Sequence, residues 1–252
     1  RQRQDSRHLC GDRRKINMTV LHKAGRFLFV AFEATTDMFS FAILTIEDLL
    51  QKGVLQMKTD KTELVFILDK SGSMSGLESD VTGGFNGMLR KQKKLPGECF
   101  LTTILFDTRV ELLHDRLDIR AVSPVTERDY CPGGGTALLD AIGMGIEKIK
   151  KVQAQSAEKY RADHVIFVIT TDGMENSSVM YRHREIRNMI SEMKEKYGWE
   201  FIFSAANIDA EEMAESLSID KEKAFSYAAD DKGIEAMYEI SSRFCTKARE
   251  NK

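Results

Sequence analysis

The sequence is poor in the features that mark linkers, zinc sites and nucleic-acid binding. Only 3 of its 252 residues are proline, and no proline-rich segment divides the chain. The four cysteines are far apart and form no Cys-x-x-Cys or Cys/His pair with zinc-site spacing, so we expect no zinc site. The net charge of −2 gives no general attraction for nucleic acid or for an anionic membrane surface.

Signatures of common enzyme classes are also missing from the sequence. It contains no Gly-x-Ser-x-Gly elbow, no Walker sequence and no Gly-x-Gly-x-x-Gly fingerprint. Three glycines stand together at Gly133–Gly135, but the lysine of a phosphate-binding loop does not follow them. We therefore expect that the protein is not an enzyme.

No segment is long enough and apolar enough to cross a membrane. The apolar residues of Phe27–Phe32 are followed by Glu33 and Asp37, before the run reaches the ~20 residues that a membrane helix needs. The run starts too far from the first residue for an ordinary signal peptide, and no Ala-x-Ala-like cleavage site follows it. Cysteines without a disulfide framework favour a reducing compartment, so we expect a cytoplasmic protein.

Residues 1–56 differ in composition from the rest of the chain. Residues 52–54 can be encoded by codons that contain a bacterial ribosome-binding sequence, at the usual distance before Met57. One hypothesis is that Met57 is the true start and that residues 1–56 are translated upstream DNA or a poorly ordered segment. The alternative is a genuine amphipathic extension. Codons that cannot spell GGAG at this point would exclude the first hypothesis.

Strands and helices are predicted to alternate along residues 57–252. The predicted strands are Glu63–Leu68, Glu98–Phe106, Arg109–His114, His164–Ile169, Phe201–Ala205 and Ala224–Tyr227. Helices are predicted at Leu77–Leu95, at Ala137–Val152, around Ile186–Tyr197, at Ala210–Leu217 and around Ile234–Phe244. Such alternation is typical of an α/β fold with a doubly wound, mainly parallel sheet. The short connection after Phe106 predicts one antiparallel edge strand.

The most informative motif follows the first predicted strand of this region. Five apolar residues, Leu64–Leu68, indicate a strand that is buried on both faces, and Asp69, Ser71 and Ser73 come directly after it. Open α/β sheets build their binding sites at this carboxyl end of the strands. Oxygen ligands suit a hard divalent cation such as Mg²⁺, so the motif predicts a small metal site.

Two further loops carry polar side chains that could join the same site. Thr136 follows the glycines Gly133–Gly135, and Asp172 follows another apolar strand within Thr171-Asp172-Gly173. If the two strands are neighbours, the three loops converge and supply two carboxylates and three hydroxyls. The alternative is that the hydroxyls merely cap the following helices, although capping and metal binding are compatible.

The motifs Asp-x-Ser-x-Ser, Gly-Gly-Thr and Thr-Asp-Gly, in this order, resemble the metal-ion-dependent adhesion site of von Willebrand factor type A domains. The resemblance covers nearly all of residues 57–252, and the wider sequence is similar to small stand-alone bacterial members. It implies a Rossmann-like fold and a bound Mg²⁺, with Mn²⁺ or Ca²⁺ as alternatives. It also implies that Ser71, Ser73 and Thr136 are direct ligands, and that Asp69 and Asp172 act largely through metal-bound water.

The resemblance further implies a protein–protein interaction module in which the cation recruits an acidic residue of a partner. Bacterial relatives often work beside AAA+ ATPases, so such a system is a candidate partner. One alternative is a Mg²⁺-dependent phosphohydrolase of the haloacid dehalogenase type, which also places an aspartate after its first strand. That class needs a second acid two residues later, where this sequence has Ser71. Another alternative is a scaffold that binds no metal.

Overall fold

The computed structural model describes residues 61–250, together with the backbone of four strands nearer the start of the chain. The chain divides into two compact units, Arg1–Lys58 and Thr59–Lys252. Residues 52–57, on which the start-site hypothesis depends, lie outside the described residues. In the first unit, four strands pair in an antiparallel sheet in chain order: β1 (His8–Leu9), β2 (Ile16–Ala24), β3 (Phe27–Glu33) and β4 (Ser40–Thr45).

The second unit is built on a six-stranded sheet. Its strands are β5 (Lys61–Asp69), β6 (Glu98–Phe106), β7 (Val110–Asp118), β8 (His164–Thr171), β9 (Glu200–Ala205) and β10 (Ala224–Ser226). They lie in the order β10-β9-β8-β5-β6-β7, and every pairing is parallel except that of β6 with β7. This confirms the predicted doubly wound, mainly parallel sheet with one antiparallel edge strand.

Five α-helices are described, and they cover both faces of this sheet. They are α1 (Glu78–Gln92), α2 (Leu138–Gln155), α3 (His183–Tyr197), α4 (Ala210–Ser216) and α5 (Asp231–Glu250). Val65 and Ile67 of β5 belong to the core beneath α2, α3 and α4. Leu64, Phe66 and Leu68 belong to the opposite core, beneath α1 and α5. The continuous apolar run of β5 is therefore explained by burial on both faces.

Helices α1 and α5 pack closely because α1 carries glycine at the contact. A Cβ atom added at Gly84 would lie 2.2 Å from Cδ2 of Tyr238 on α5. A Cβ added at Gly83 would meet no atom within 4 Å. Gly84 is thus required by the close approach of the two helices, whereas the neighbouring Gly83 is not.

Several element ends differ from the sequence-based expectation. Helix α1 ends at Gln92 rather than Leu95, and the edge strand β7 continues to Asp118 rather than His114. Tyr197 was expected on the buried face of α3, but it is 58% exposed. The reason is that Gly198, with φ of 66°, ends the helix in the left-handed conformation, and Trp199 takes the buried position instead.

Candidate metal centre

The ends of β5 and β8 lie side by side because these strands are direct neighbours in the sheet. The Oδ2 atom of Asp69 accepts a hydrogen bond of 2.6 Å from the Thr171 hydroxyl. The Oδ1 atom of Asp172 accepts from the Ser73 hydroxyl at 2.7 Å and from the Ser71 hydroxyl at 3.3 Å. The Asp-x-Ser-x-Ser and Thr-Asp-Gly loops therefore meet, as expected if the strands before them are neighbours.

A tight turn after β5 places the two serines together. The backbone N–H of Ser71 donates to Oδ1 of Asp69 at 2.7 Å, and a 3₁₀ turn follows at Gly72–Met74. The two hydroxyl oxygens, Oγ of Ser71 and Oγ of Ser73, are 3.1 Å apart. Ser71 is buried and Ser73 is exposed, so the hydroxyl pair leads from the protein interior to the solvent.

The glycine loop brings Thr136 to the same place. Its backbone is joined to the serine loop by two hydrogen bonds, from Gly72 N–H to Gly134 O at 3.1 Å and from Gly133 N–H to Lys70 O at 2.9 Å. A Cβ atom added at Gly173 would lie 3.9 Å from Oγ1 of Thr136 and 4.0 Å from Oγ of Ser73. Hydroxyls from two loops thus flank one point beside Gly173, and all five predicted site residues lie together.

The electrostatics of this site favour a cation. Asp69 and Asp172 are each 2% exposed. Burial raises the pKa of Asp69; hydrogen bonds from Thr171 and Ser71 oppose this rise, and the nearby Asp172 carboxylate adds to it. None of the ion pairs among residues 61–250 includes either aspartate. The one basic side chain in the serine loop, Lys70, lies 2.8 Å from Oε2 of Glu111 on the edge strand.

One acceptor of the site has no hydrogen-bond partner among residues 61–250. It is the buried Oδ2 atom of Asp172, to which none of these residues donates. Leaving a charged acceptor buried and unpaired is costly, so such an atom calls for an explanation. A bound divalent cation, held directly or through its water, fits this atom and the mixed set of hydroxyl and carboxylate oxygens around it.

The site is supported by residues that the sequence analysis missed. The hydroxyl of Tyr130 donates to the carbonyl of Asp69, and that of Tyr227 donates to the carbonyl of Thr171 at 3.1 Å. Burial raises the pKa of both tyrosines, so they remain protonated donors. Tyr130 precedes the glycines Gly133–Gly135 by three residues and Tyr227 is far from the site motifs, but no local pattern distinguishes either from an ordinary core tyrosine.

Carboxylate-rich metal sites are not seen in the described part of the chain. Among those residues, no group of three or more histidine, cysteine, aspartate or glutamate side chains is placed to hold a metal ion. The site beside Gly173 has only two carboxylates and depends on hydroxyl oxygens for the rest. The identity of its five residues as metal ligands remains a prediction.

Comparison with solved structures finds similar folds. No family model matches the sequence, and no curated protein matches it. The von Willebrand factor domain of the pilus tip protein Mfa5 from Porphyromonas gingivalis has a TM-score of 0.55 and 11% identity, over 77% of this chain and 98% of that one. A von Willebrand factor type A protein from Catenulispora acidiphila has a TM-score of 0.51 and 10% identity, over 90% of this chain and 46% of that one.

A third similar structure contains a metal. It is proximal thread matrix protein 1 from the mussel byssus, with a zinc-occupied metal-ion-dependent adhesion site, and it has a TM-score of 0.51 and 13% identity. The match covers 75% of this chain and 46% of the mussel protein, so the chain spans just under half of that protein. At such low identity these likenesses define the fold alone. The second unit has the fold of a von Willebrand factor type A domain.

Within the described ranges, none of the helices combines the length and the apolar character that crossing a bilayer requires.

Proposed function

We propose that the second unit is a divalent-cation-dependent protein-binding module. The observation that carries the proposal is the pair of buried carboxylates beside three hydroxyls, with the Oδ2 atom of Asp172 left without a hydrogen-bond partner in the described part of the chain. A cation would compensate both carboxylates, which have no basic side chain within ion-pair distance among the described residues. This explains why the fold places two like charges together in its interior.

The residues that would hold the cation follow from the geometry and the family resemblance. Ser71, Ser73 and Thr136 would supply hydroxyl oxygens, and Asp69 and Asp172 would act largely through water. Such a set suits Mg²⁺, with Mn²⁺ or Ca²⁺ as alternatives. When bound, the ion would be electrophilic because its direct ligands are neutral, and it would attract a carboxylate from another protein.

The partner in this proposal is a protein that presents an acidic residue. An AAA+ ATPase system is a candidate, and only the resemblance to stand-alone bacterial domains supports it. We also propose a cytoplasmic location. Three free cysteines, Cys99, Cys131 and Cys245, support that location because a reducing compartment keeps thiols unpaired.

A phosphohydrolase is the second function that the chain could have, and the site geometry argues against it. Both oxygens of Asp69 accept hydrogen bonds, from Ser71 and from Thr171, which restrict the carboxylate as a nucleophile. We therefore propose that the protein is not an enzyme. Mg²⁺-dependent hydrolysis of an aryl phosphate that disappears in Asp69→Asn would contradict this.

Thermal unfolding with and without Mg²⁺ or Mn²⁺ tests the proposal. A ligand that binds only the native state stabilises it, by about 2.7 kcal/mol at a concentration 100 times its Kd. We expect a rise in Tm for the wild type and no rise for Asp172→Asn. The matched control is Ser75→Ala, because Ser75 is exposed in the same loop and should leave the response unchanged.

Absence of any metal response in the wild type would favour the metal-free scaffold. A response that survives Asp172→Asn would place the cation somewhere else in the chain. Either result would contradict the proposed site.

A further inference from the structure

The loop that follows Asp172 exposes large apolar side chains. We call residues 173–181 the rim loop, because it borders the candidate metal centre. Met174 is 67% exposed, Val179 is 90% exposed and Met180 is 61% exposed. Single exposed apolar residues are common on protein surfaces, but several on one short loop beside a binding site indicate an interaction surface.

The rim loop is firmly held, so the exposure of these side chains does not result from a loose segment. Backbone N–H groups of Ser177 and Ser178 donate to Oε1 of Glu175, at 2.9 and 2.7 Å. The next three N–H groups, of residues 179, 180 and 181, all donate to the carboxylate of Asp140 at 2.9 Å. A loop with this many satisfied donors presents its side chains in a fixed arrangement.

The carboxylate of Asp140 is itself part of a buried, reciprocal contact. Asp140 lies in the first turn of α2 and is 4% exposed. In return, Glu175 Oε2 accepts from the N–H of Leu139, and the hydroxyl of Ser178 accepts from the N–H of Asp140. The rim loop and the start of α2 thus satisfy each other's polar groups, which fixes the loop relative to the sheet.

The rim loop is continuous with the candidate metal centre. The side-chain oxygen of Asn176 accepts from the N–H of Thr136 at 2.9 Å, and the N–H of Asn176 donates to the carbonyl of Thr136 at 3.1 Å. Met174 follows directly on Gly173, which lies beside the site hydroxyls. A molecule bound at the site would therefore lie next to the first residues of the rim loop.

The charges at the far end of the rim loop favour an acidic partner. Arg182 and Arg184 follow the loop and are exposed. The carboxylate of Glu175 is occupied with backbone donors, and so is that of Glu185, which accepts from the N–H of Arg182 at 2.7 Å. Neither arginine takes part in an ion pair among residues 61–250, so their positive charge can complement a negative one.

We propose that the rim loop selects the partner, and that it fits a protein segment in which one acidic side chain is flanked by apolar side chains. The acidic group would be taken at the metal centre, and the apolar neighbours would be buried against Met174, Val179 and Met180. This inference rests on the proposed function, because it assigns the partner class of the same site.

Short synthetic peptides test the inference. Each carries one central glutamate, flanked by leucine in one set and by serine in the other. Binding to the full chain is measured in Mg²⁺ and in EDTA. In Mg²⁺ we expect the leucine-flanked peptides to bind about tenfold more tightly or better, since burial of an apolar side chain is worth at least that factor.

The decisive variant is Met174→Ser/Val179→Ser/Met180→Ser. It should lose the preference for leucine but keep the rise in Tm with Mg²⁺, since no site residue is changed. The matched control is Met144→Ser on α2, where the methionine is 38% exposed and lies outside the rim loop. It should leave both the preference and the Mg²⁺ response unchanged.

Three results would overturn the inference. They are equal binding of both peptide sets, a leucine preference that survives in the triple variant, and no peptide binding although Mg²⁺ stabilises the chain. In all three the proposed metal centre would stand, provided that Mg²⁺ still raises the Tm. Loss of the Mg²⁺ response in the wild type would instead overturn the proposed function, and this inference with it.

Discussion

Two adjacent glycines on helix α1 should respond in opposite ways to the same substitution. Gly83→Ala places a methyl group where no atom lies within 4 Å, whereas Gly84→Ala places it 2.2 Å from Cδ2 of Tyr238. Both positions lie inside the helix, so both gain the same preference of alanine for helical backbone, about 1 kcal/mol. The pair therefore isolates the effect of helix–helix packing from that of helix propensity.

The magnitude follows from the contact at Gly84. Favourable carbon–carbon contacts lie at about 3.5–4.0 Å, so the added methyl must push the ring away by more than about 1 Å. Tyr238 is only 3% exposed and cannot move without disturbing α5. Overpacking of this kind costs about 1–3 kcal/mol, and this severe overlap belongs near the upper end. We expect a net loss of about 2 kcal/mol for Gly84→Ala and a gain of about 1 kcal/mol for Gly83→Ala.

Equilibrium unfolding in urea measures both variants against the wild type. The expected difference between them, about 3 kcal/mol, corresponds to roughly 6–12 °C in Tm. Equal stabilities of the two variants would refute the reasoning, because they would mean that α1 and α5 do not meet at Gly84. A stabilised Gly84→Ala would lead to the same conclusion.

Three further predictions concern pH, loop structure and thiol chemistry. Burial lowers the pKa of His114 from its ordinary 6.5, so the unfolded chain binds more protons and stability falls as pH drops below 6.5. Urea unfolding at pH values above and below 6.5 should show that the free energy of unfolding falls less in His114→Asn than in the wild type. An equal fall in the two proteins would contradict this. Asp140→Asn should cost about 1–3 kcal/mol because one of the two carboxylate oxygens that accept the loop's N–H groups is replaced by a donor. In this variant, amide hydrogen exchange should become faster at residues 179–181 but not in the central strands. Unchanged exchange at residues 179–181 would count against the assigned contacts. Alkylation followed by peptide mapping should label Cys131, which is exposed, before Cys99, whose buried thiol has a pKa raised to about 11. The reverse order would be inconsistent with the burial described.

The fold could be predicted from local patterns because its strands are buried on both faces. The apolar run Leu64–Leu68 and its counterpart His164–Ile169 mark the two central strands without any knowledge of their neighbours. The short connection between β6 and β7 correctly indicated the antiparallel edge. The meeting of Asp69 and Asp172 followed from one further assumption, that these strands are adjacent, and the register confirms it.

The supports of the site could not be predicted in this way because each of them contacts a partner that is distant in the sequence. Tyr130 reaches Asp69 across 61 positions, and Tyr227 reaches Thr171 across 56. Asp140 stands within a helical pattern, where an acid usually faces solvent, and only the folded chain shows that it holds the rim loop. Tyr197 fitted the periodicity of α3, but the pattern does not reveal the residue at which a helix ends.

The most direct test of the proposed metal centre is anomalous diffraction from crystals grown with Mn²⁺. Data collected at the manganese absorption edge locate the ion without reference to any assumed ligand. We predict one strong anomalous peak among the oxygens of Ser71, Ser73 and Thr136, with Asp69 and Asp172 in the surrounding shell, and no peak there in Asp172→Asn crystals. A peak elsewhere, or no peak in wild-type crystals that contain Mn²⁺ in excess, would contradict the proposal that this sheet edge is a metal-dependent binding site.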